Sequence, residues 1–296
     1  MLLNALLLTL LKLLLPHTGS HIKLRAEKDM QLPKVGSPTP NIEMVDCDKR
    51  VEAVEKHYFC TVELYFYLTS IYLWPTLQHI DTYLTVLREK QTACPANYDS
   101  LIIYHGTSLF GELSHYWKRD FVKRGQVENF KSESYVCPDS WLTYVRGEQY
   151  GTRPWWHIAE VLLPCCIDNY HWILCKINMR KKVIVIYDSL QKHKDPTHRI
   201  SQIEPLIKFL PSMLRCGGFF ENTSIAPWTD GIKVEVLSAD LLPQQPDGTS
   251  CGAFMMKYLD NIMRFKELNW DFVEGDVNKI REEIAMEIFA YSIPVE

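Results

Sequence analysis

No Cys-x-x-C pair occurs in the 296 residues, and the nine cysteines are scattered and odd in number. Zinc fingers and ribbons need thiolates paired at short spacing, so that class of site is unsupported. A disulfide framework would leave one cysteine over. The simplest expectation is a reducing compartment with free thiols, one of which is reactive. Positive charge is not in excess either: 32 Lys and Arg against 36 Asp and Glu give a net charge of -4. That balance supplies no argument for nucleic-acid binding. The basic clusters "MRKK" (179–182) and "YWKRDFVKR" (116–124) are short and read as solvated faces. There is no internal repeat, and no apolar run reaches the length of a membrane span.

The nearest approach to such a run is the leader "MLLNALLLTLLKLLLP". It lacks a basic leading segment, carries Lys12 inside the run and shows no clear small-x-small cleavage site, which argues against a signal peptide. A partner-seeking amphipathic helix is the alternative. One sequon, Asn222-Thr223-Ser224, suits secretion but is common by chance. The expected setting is intracellular, nucleus or cytoplasm, with no membrane span.

What is present starts with organisation. Residues 1–43 read as a leucine-rich leader and a polar linker with prolines at 33, 38 and 40, and residues 44–73 as a helical lead-in. The segment "LQHIDTYLTVLREKQ" carries an apolar stripe at Ile80, Leu84 and Leu87, the spacing of a helix. Residues 93–154 are a mixture of turn signals and short apolar runs, read as loops and short helices. From Trp155 the pattern sharpens. "IAEVLLPCCI", "HWILCKI" (171–177) and "VIVIY" (183–187) have strand character, the last two joined by the polar turn "NMRKK" as an antiparallel hairpin. "RISQIEPLIKFLPSMLR" (199–215) is helical but interrupted at Pro205, "IKVEVL" (232–237) is another strand, and "DVNKIREEIAMEIFAYS" (276–292) is a last helix. The expected class is α+β: a small, mainly antiparallel sheet with helices packed on it.

The stretch "QQPDGTSCGAFMMKYL" (244–259) places a cysteine where a helix begins. Pro246, Asp247 and Gly248 break regular structure, Thr249 or Ser250 can cap, and Phe254, Tyr258 and Ile262 continue a buried face. Cys251 is then either a small packing residue or a nucleophile whose thiol is acidified by the helix terminus. Cysteine catalysis needs an imidazole near the sulfur and a group to orient it. If the hairpin turn centres at 179–180, His171 stands opposite Asp188 at one end of the sheet, where the carboxylate can accept an imidazole N–H. His157 is the rival base, without a similarly paired aspartate. Gln245, on the loop entering the helix, can donate to an oxyanion, with Gln244 as a substitute.

The ordered set His171-Trp172, Asp188-Ser189, Gln245 and Cys251-Gly252 resembles the ubiquitin-like-protein-specific cysteine proteases, the SUMO-protease family. "WPTLQHIDTYLTVLR" (74–88) looks like that family's opening segment, particularly in plant members, so the catalytic domain is expected over 74–296. The resemblance implies a papain-like fold. By that resemblance Cys251 would attack the carbonyl of a modifier's C-terminal glycine, His171 would serve as base and then acid, Asp188 would orient it and Gln245 would help hold the oxyanion. No metal or cofactor is implied, and the partner is a SUMO-like modifier and its conjugates. Trp172 and Trp74 would wall a slot that admits only glycine beside the cleaved bond. Two departures stand out: Leu77 lies near the place of an acidic residue, and Ser250 stands where many members have aspartate. They leave open a degenerate module that grips the modifier without cleaving it.

Overall fold

Strands β2 (Glu160–Ile167), β3 (His171–Asn178) and β4 (Val183–Tyr187) are apolar without alternation because both faces of their sheet are covered. The computed structural model describes residues 77–191, 196–229, 231–264 and 269–292, all within the second of two units into which the chain divides, residues 52–296. The leader, the linker, the helical lead-in and Trp74 lie outside the described residues.

The sheet has five strands in the order β1-β2-β3-β4-β5, where β1 is Ile102–Tyr104 and β5 is Lys233–Val236. The two central pairings are antiparallel, as expected, while β1 joins β2 and β5 joins β4 in parallel. Strand β1 is the element missed within 93–154. At three residues it is too short to carry a period. Pro164 sits mid-strand in β2 opposite Leu174, yet breaks nothing. Its missing N–H falls on the β1 side, beyond Tyr104 opposite Leu162, where β1 has already ended.

On one face, Leu162, Trp172 and Leu174 pack against α1 (Leu77–Ala93), α6 (Cys251–Arg264) and α7 (Val277–Ser292). The expected stripe Ile80, Leu84 and Leu87 is buried there. Helix α6 lies against β3, which carries its N-terminal cysteine to the sheet. On the other face, Val161, Leu163 and Ile167 of β2 with Ile173 and Ile177 of β3 meet α2 (Ser108–Trp117), α3 (Asp139–Val145) and α5 (Glu204–Cys216). Helix α4 (Pro196–Gln202) ends just before α5, and Pro205 stands at the start of the new helix, where its absent N–H costs nothing.

Burial has one consequence for acid stability. His105 follows β1 and is 2% exposed, its Nε2 accepting the Trp155 indole N–H at 3.0 Å. Burial, with a smaller contribution from the Arg88 charge, pushes its pKa down to about 3. The folded chain therefore takes up this proton less readily than the unfolded chain. The stability that depends on neutral His105 is complete above the ordinary value near 6.5 and falls as pH drops from there toward 3, by about 2 kcal/mol at pH 5. His105→Gln, whose side-chain oxygen can still accept from Trp155, should lose much less between pH 7 and pH 5 in urea unfolding. Equal losses in the two proteins would assign the acid lability elsewhere.

Candidate active site

His171 is set by the β2–β3 connection. Asp168 and Asn169 both adopt positive φ (54° and 66°), which these two residue types tolerate, and Ile167 pairs directly with His171. His171 thus opens β3 and Asp188 follows the last residue of β4. The hairpin register differs from the expected one. Leu174 faces Tyr187 and Asn178 faces Val183, so the turn centres one residue later than expected and Asp188 is not directly opposite His171. The offset is two positions along one strand, which keeps the same face of the pleat, and a diagonal pair remains within reach of long side chains. The His171 Nε2–H donates to Asp188 Oδ1 at 2.7 Å, with both side chains buried. Nδ1 is thereby left as the basic nitrogen.

The Asp188 carboxylate is fully engaged. Oδ1 also accepts the Leu190 N–H at 2.9 Å, and Oδ2 accepts the Arg199 Nε–H. Burial pushes the carboxyl up, but the hydrogen bond and charge of His171, the Arg199 charge and the Leu190 N–H outweigh it and hold it below the ordinary carboxylate range. Arg199 was not among the expected site residues. It lies in α4, 1% exposed, and its Nη2–H also donates to the Leu190 carbonyl at 3.1 Å.

Cys251 is the first residue of α6 and is fully buried. Its Sγ accepts the Trp172 N–H at 3.4 Å and lies 3.9 Å from the Tyr170 carbonyl oxygen. The backbone on either side of His171 therefore meets the sulfur. The expectation of an acidified thiol is overturned. Burial pushes the pKa up to about 11; the Trp172 and Gly252 N–H groups oppose it, and the charges of Cys166 and Asp188 add to it. A helix terminus offers partial charge, whereas removal from water penalises the whole thiolate charge.

The entry loop to α6 is braced from below. Gln245 Oε1 accepts the Ser189 hydroxyl at 2.6 Å, and Nε2 donates to the Asp247 carbonyl at 2.7 Å, so one of its two amide hydrogens is committed to the loop. Gln244 Oε1 accepts the Gln191 N–H at 2.9 Å and its Nε2 donates to the Asp188 carbonyl at 3.2 Å. Asp247 Oδ1 takes the N–H groups of Thr249 and Ser250, both at 2.8 Å, and Oδ2 takes the Ser250 hydroxyl at 2.7 Å. Arg281 of α7 donates to that hydroxyl at 3.3 Å. Ser250 is thus a bridge between a carboxylate three residues upstream and a buried arginine.

Trp172 is 4% exposed, its indole packed in the cluster that includes Cys251. Leu77 begins α1 and is 57% exposed. His157 Nε2 accepts the neighbouring Trp156 indole N–H at 3.1 Å on an exposed turn. The seven described cysteines are all free thiols. Among the described residues, no helix is long and apolar enough to cross a membrane.

Known proteins bear on this arrangement. Ubiquitin-like-specific protease ESD4 of Arabidopsis thaliana is 23% identical over 197 residues, which is 64% of this chain and 32% of that protein. Sentrin-specific protease 2 of Homo sapiens is 28% identical over 129 residues, 44% of this chain and 20% of that one. The chain thus spans about a third or less of the length of these relatives. Among solved structures, SUMO protease Ulp1 with its catalytic cysteine oxidised to a sulfenic acid aligns at TM-score 0.49 and 17% identity, covering 86% of this chain and 99% of that one. The model of the Ulp1 protease family, C-terminal catalytic domain, matches residues 74–293, and this chain belongs to that family.

Proposed function

We propose that this protein is a cysteine peptidase or isopeptidase that cleaves after the C-terminal diglycine of a ubiquitin-like modifier such as SUMO. One observation carries it: the buried His171–Asp188 pair, 2.7 Å apart, shares a strand end with Trp172, whose N–H touches the Cys251 sulfur at the start of a helix. The thiol is neutral at rest. His171 Nδ1 takes its proton as sulfur attacks the scissile carbonyl, and Asp188 stabilises the imidazolium that forms. The tetrahedral oxyanion is held by backbone N–H groups at the α6 terminus and by the second amide hydrogen of Gln245. His171 then protonates the leaving amine. The thioester is hydrolysed by water that gives its proton to the same nitrogen, returning the thiol.

On this reading Trp172 walls the slot that limits the two residues before the cleaved bond to glycine. Seven unbridged cysteines suit a reducing, intracellular setting, nucleus or cytoplasm. A panel of ubiquitin-like modifiers with a fluorogenic C-terminus tests the reading. At least one should be turned over, and its Ala-Ala-ended form should be cleaved at least about tenfold more slowly, a ratio within reach of steric exclusion at a close backbone approach. Equal cleavage of the two forms removes the slot. Failure on the whole panel, with the modifier still bound, favours a module that grips without cutting.

A further inference from the structure

We propose that Arg199 is a positioning residue for the reaction: its buried guanidinium clamps one oxygen of the Asp188 carboxylate and thereby holds the other on His171. The inference rests on the cleavage reading above and adds a residue to it. A carboxylate at a strand end can rotate about its terminal bond and offer either oxygen to the imidazole. Here rotation is blocked from both sides. Oδ1 is pinned by His171 Nε2 and the Leu190 N–H, and Oδ2 by Arg199 Nε. The guanidinium is fixed in turn, because Nη2 reaches the Leu190 carbonyl at 3.1 Å. One rigid fork thus ties α4 to both the carboxylate and the backbone that follows it.

The titratable and charged groups facing Asp188 come from three elements. His171 approaches from β3 and Arg199 from α4, while Cys251 and Tyr258 of α6 both feel its charge. Arg199 is the permanent cation of this set, 2% exposed in its side chain beside a carboxylate with no exposure. In such a site a unit charge acts with little screening. It opposes proton uptake by Asp188 and keeps the carboxylate available to stabilise the imidazolium. The competing role is mechanical, with Arg199 merely fastening α4 to the end of β4.

Arg199→Gln and Arg199→Lys in the full chain separate the two. Rates are expressed per active site, counted with an electrophilic diglycine-modifier probe. Arg199→Gln should lower kcat by on the order of tenfold or more, part of what a well-positioned general base supplies, with KM within about twofold. Its acid limb of kcat/KM should move up by about 1 pH unit, because an opposite charge is lost. Arg199→Lys keeps the charge but cannot hold Asp188 and Leu190 together. Its acid limb should stay in place while kcat falls several-fold. A Gln variant with unchanged kcat per site and an unmoved limb, altered only in melting temperature, makes Arg199 a fastener and overturns the proposal. Lysine at full wild-type turnover overturns the clamp even where the Gln variant does not fold. The His171 Nε2 proton resonance of the resting chain reads the same bond without substrate. It should weaken in Arg199→Gln, and its persistence unchanged would count against the clamp whatever becomes of the cleavage reading.

Discussion

Cys251→Ala is expected to lower turnover of a diglycine modifier substrate by at least about 10⁴-fold, and Cys251→Ser by nearly as much, the scale on which loss of a nucleophile acts. The sulfur is buried and its thiol is pushed up to about 11, so nearly all of it is protonated at neutral pH. The reaction then depends on His171 taking the proton as attack proceeds. Even so raised, a thiol gives up its proton far more readily than a serine hydroxyl, and the thiolate is the better nucleophile. The two variants should differ in stability. Serine oxygen can accept the Trp172 N–H that now meets Sγ at 3.4 Å, whereas alanine removes that hydrogen bond, at about 1 kcal/mol. Fluorogenic turnover and urea unfolding check both parts. The protonated resting state has its own signature: iodoacetamide at pH 6.5 should label exposed Cys94 before Cys251 in the free chain, while a diglycine-modifier electrophile should label Cys251. Rapid alkylation of Cys251 at that pH would mean a resting thiolate and would contradict the site as described.

The contrast between that thiol and the sequence-based expectation shows what a sequence can hold. The strands were legible because two covered faces make unbroken apolar runs, and His171, Asp188 and Cys251 were legible because each stands at the boundary of such an element. A boundary is local information. The thiol pKa is not, since it is decided by how much of α6 and β3 shields the sulfur from water. The hairpin register depended on four turn residues with a positive φ at Lys182, and the expected centre fell one residue short. Its parity was right, which is why the pair still meets. Arg199 was missed although a signal existed. It stands in phase with Ile203, Leu206 and Leu210 on the buried side of α4 and α5, and an arginine in an apolar stripe calls for a buried anion. Asp247 was read as a turn former, yet its carboxylate reaches Arg281 through Ser250. Only the packing of α7 against α6 could reveal that relation.

Asp188→Asn should lower kcat/KM by about 10²–10⁴-fold, and it should also destabilise the fold. An amide cannot reproduce this carboxylate in either orientation. With its oxygen toward Arg199, the NH₂ group confronts the Leu190 N–H and His171 Nε2. The imidazole must then accept at Nε2 and carry its proton on Nδ1, so it cannot receive the thiol proton. With its oxygen toward His171 the tautomer is preserved, but the NH₂ group meets the Arg199 Nε–H and leaves a buried guanidinium without its anion. Losing one partner of a buried ion pair costs about 3–5 kcal/mol, so the side chain is driven toward the first, inactive orientation. The pH dependence follows the same pair. The Asp188 carboxyl is held below its ordinary value, so its contribution to stability is complete above about pH 4 and is lost as pH falls through the lower folded value. The Asn variant should be less stable at pH 7 and should lose less on further acidification. Urea midpoints at pH 7 and pH 3, together with kcat/KM at pH 7, measure all three quantities. An Asp188→Asn enzyme that keeps more than a tenth of its turnover would show that His171 needs no carboxylate to hold it, and the role assigned to Arg199 would go with it.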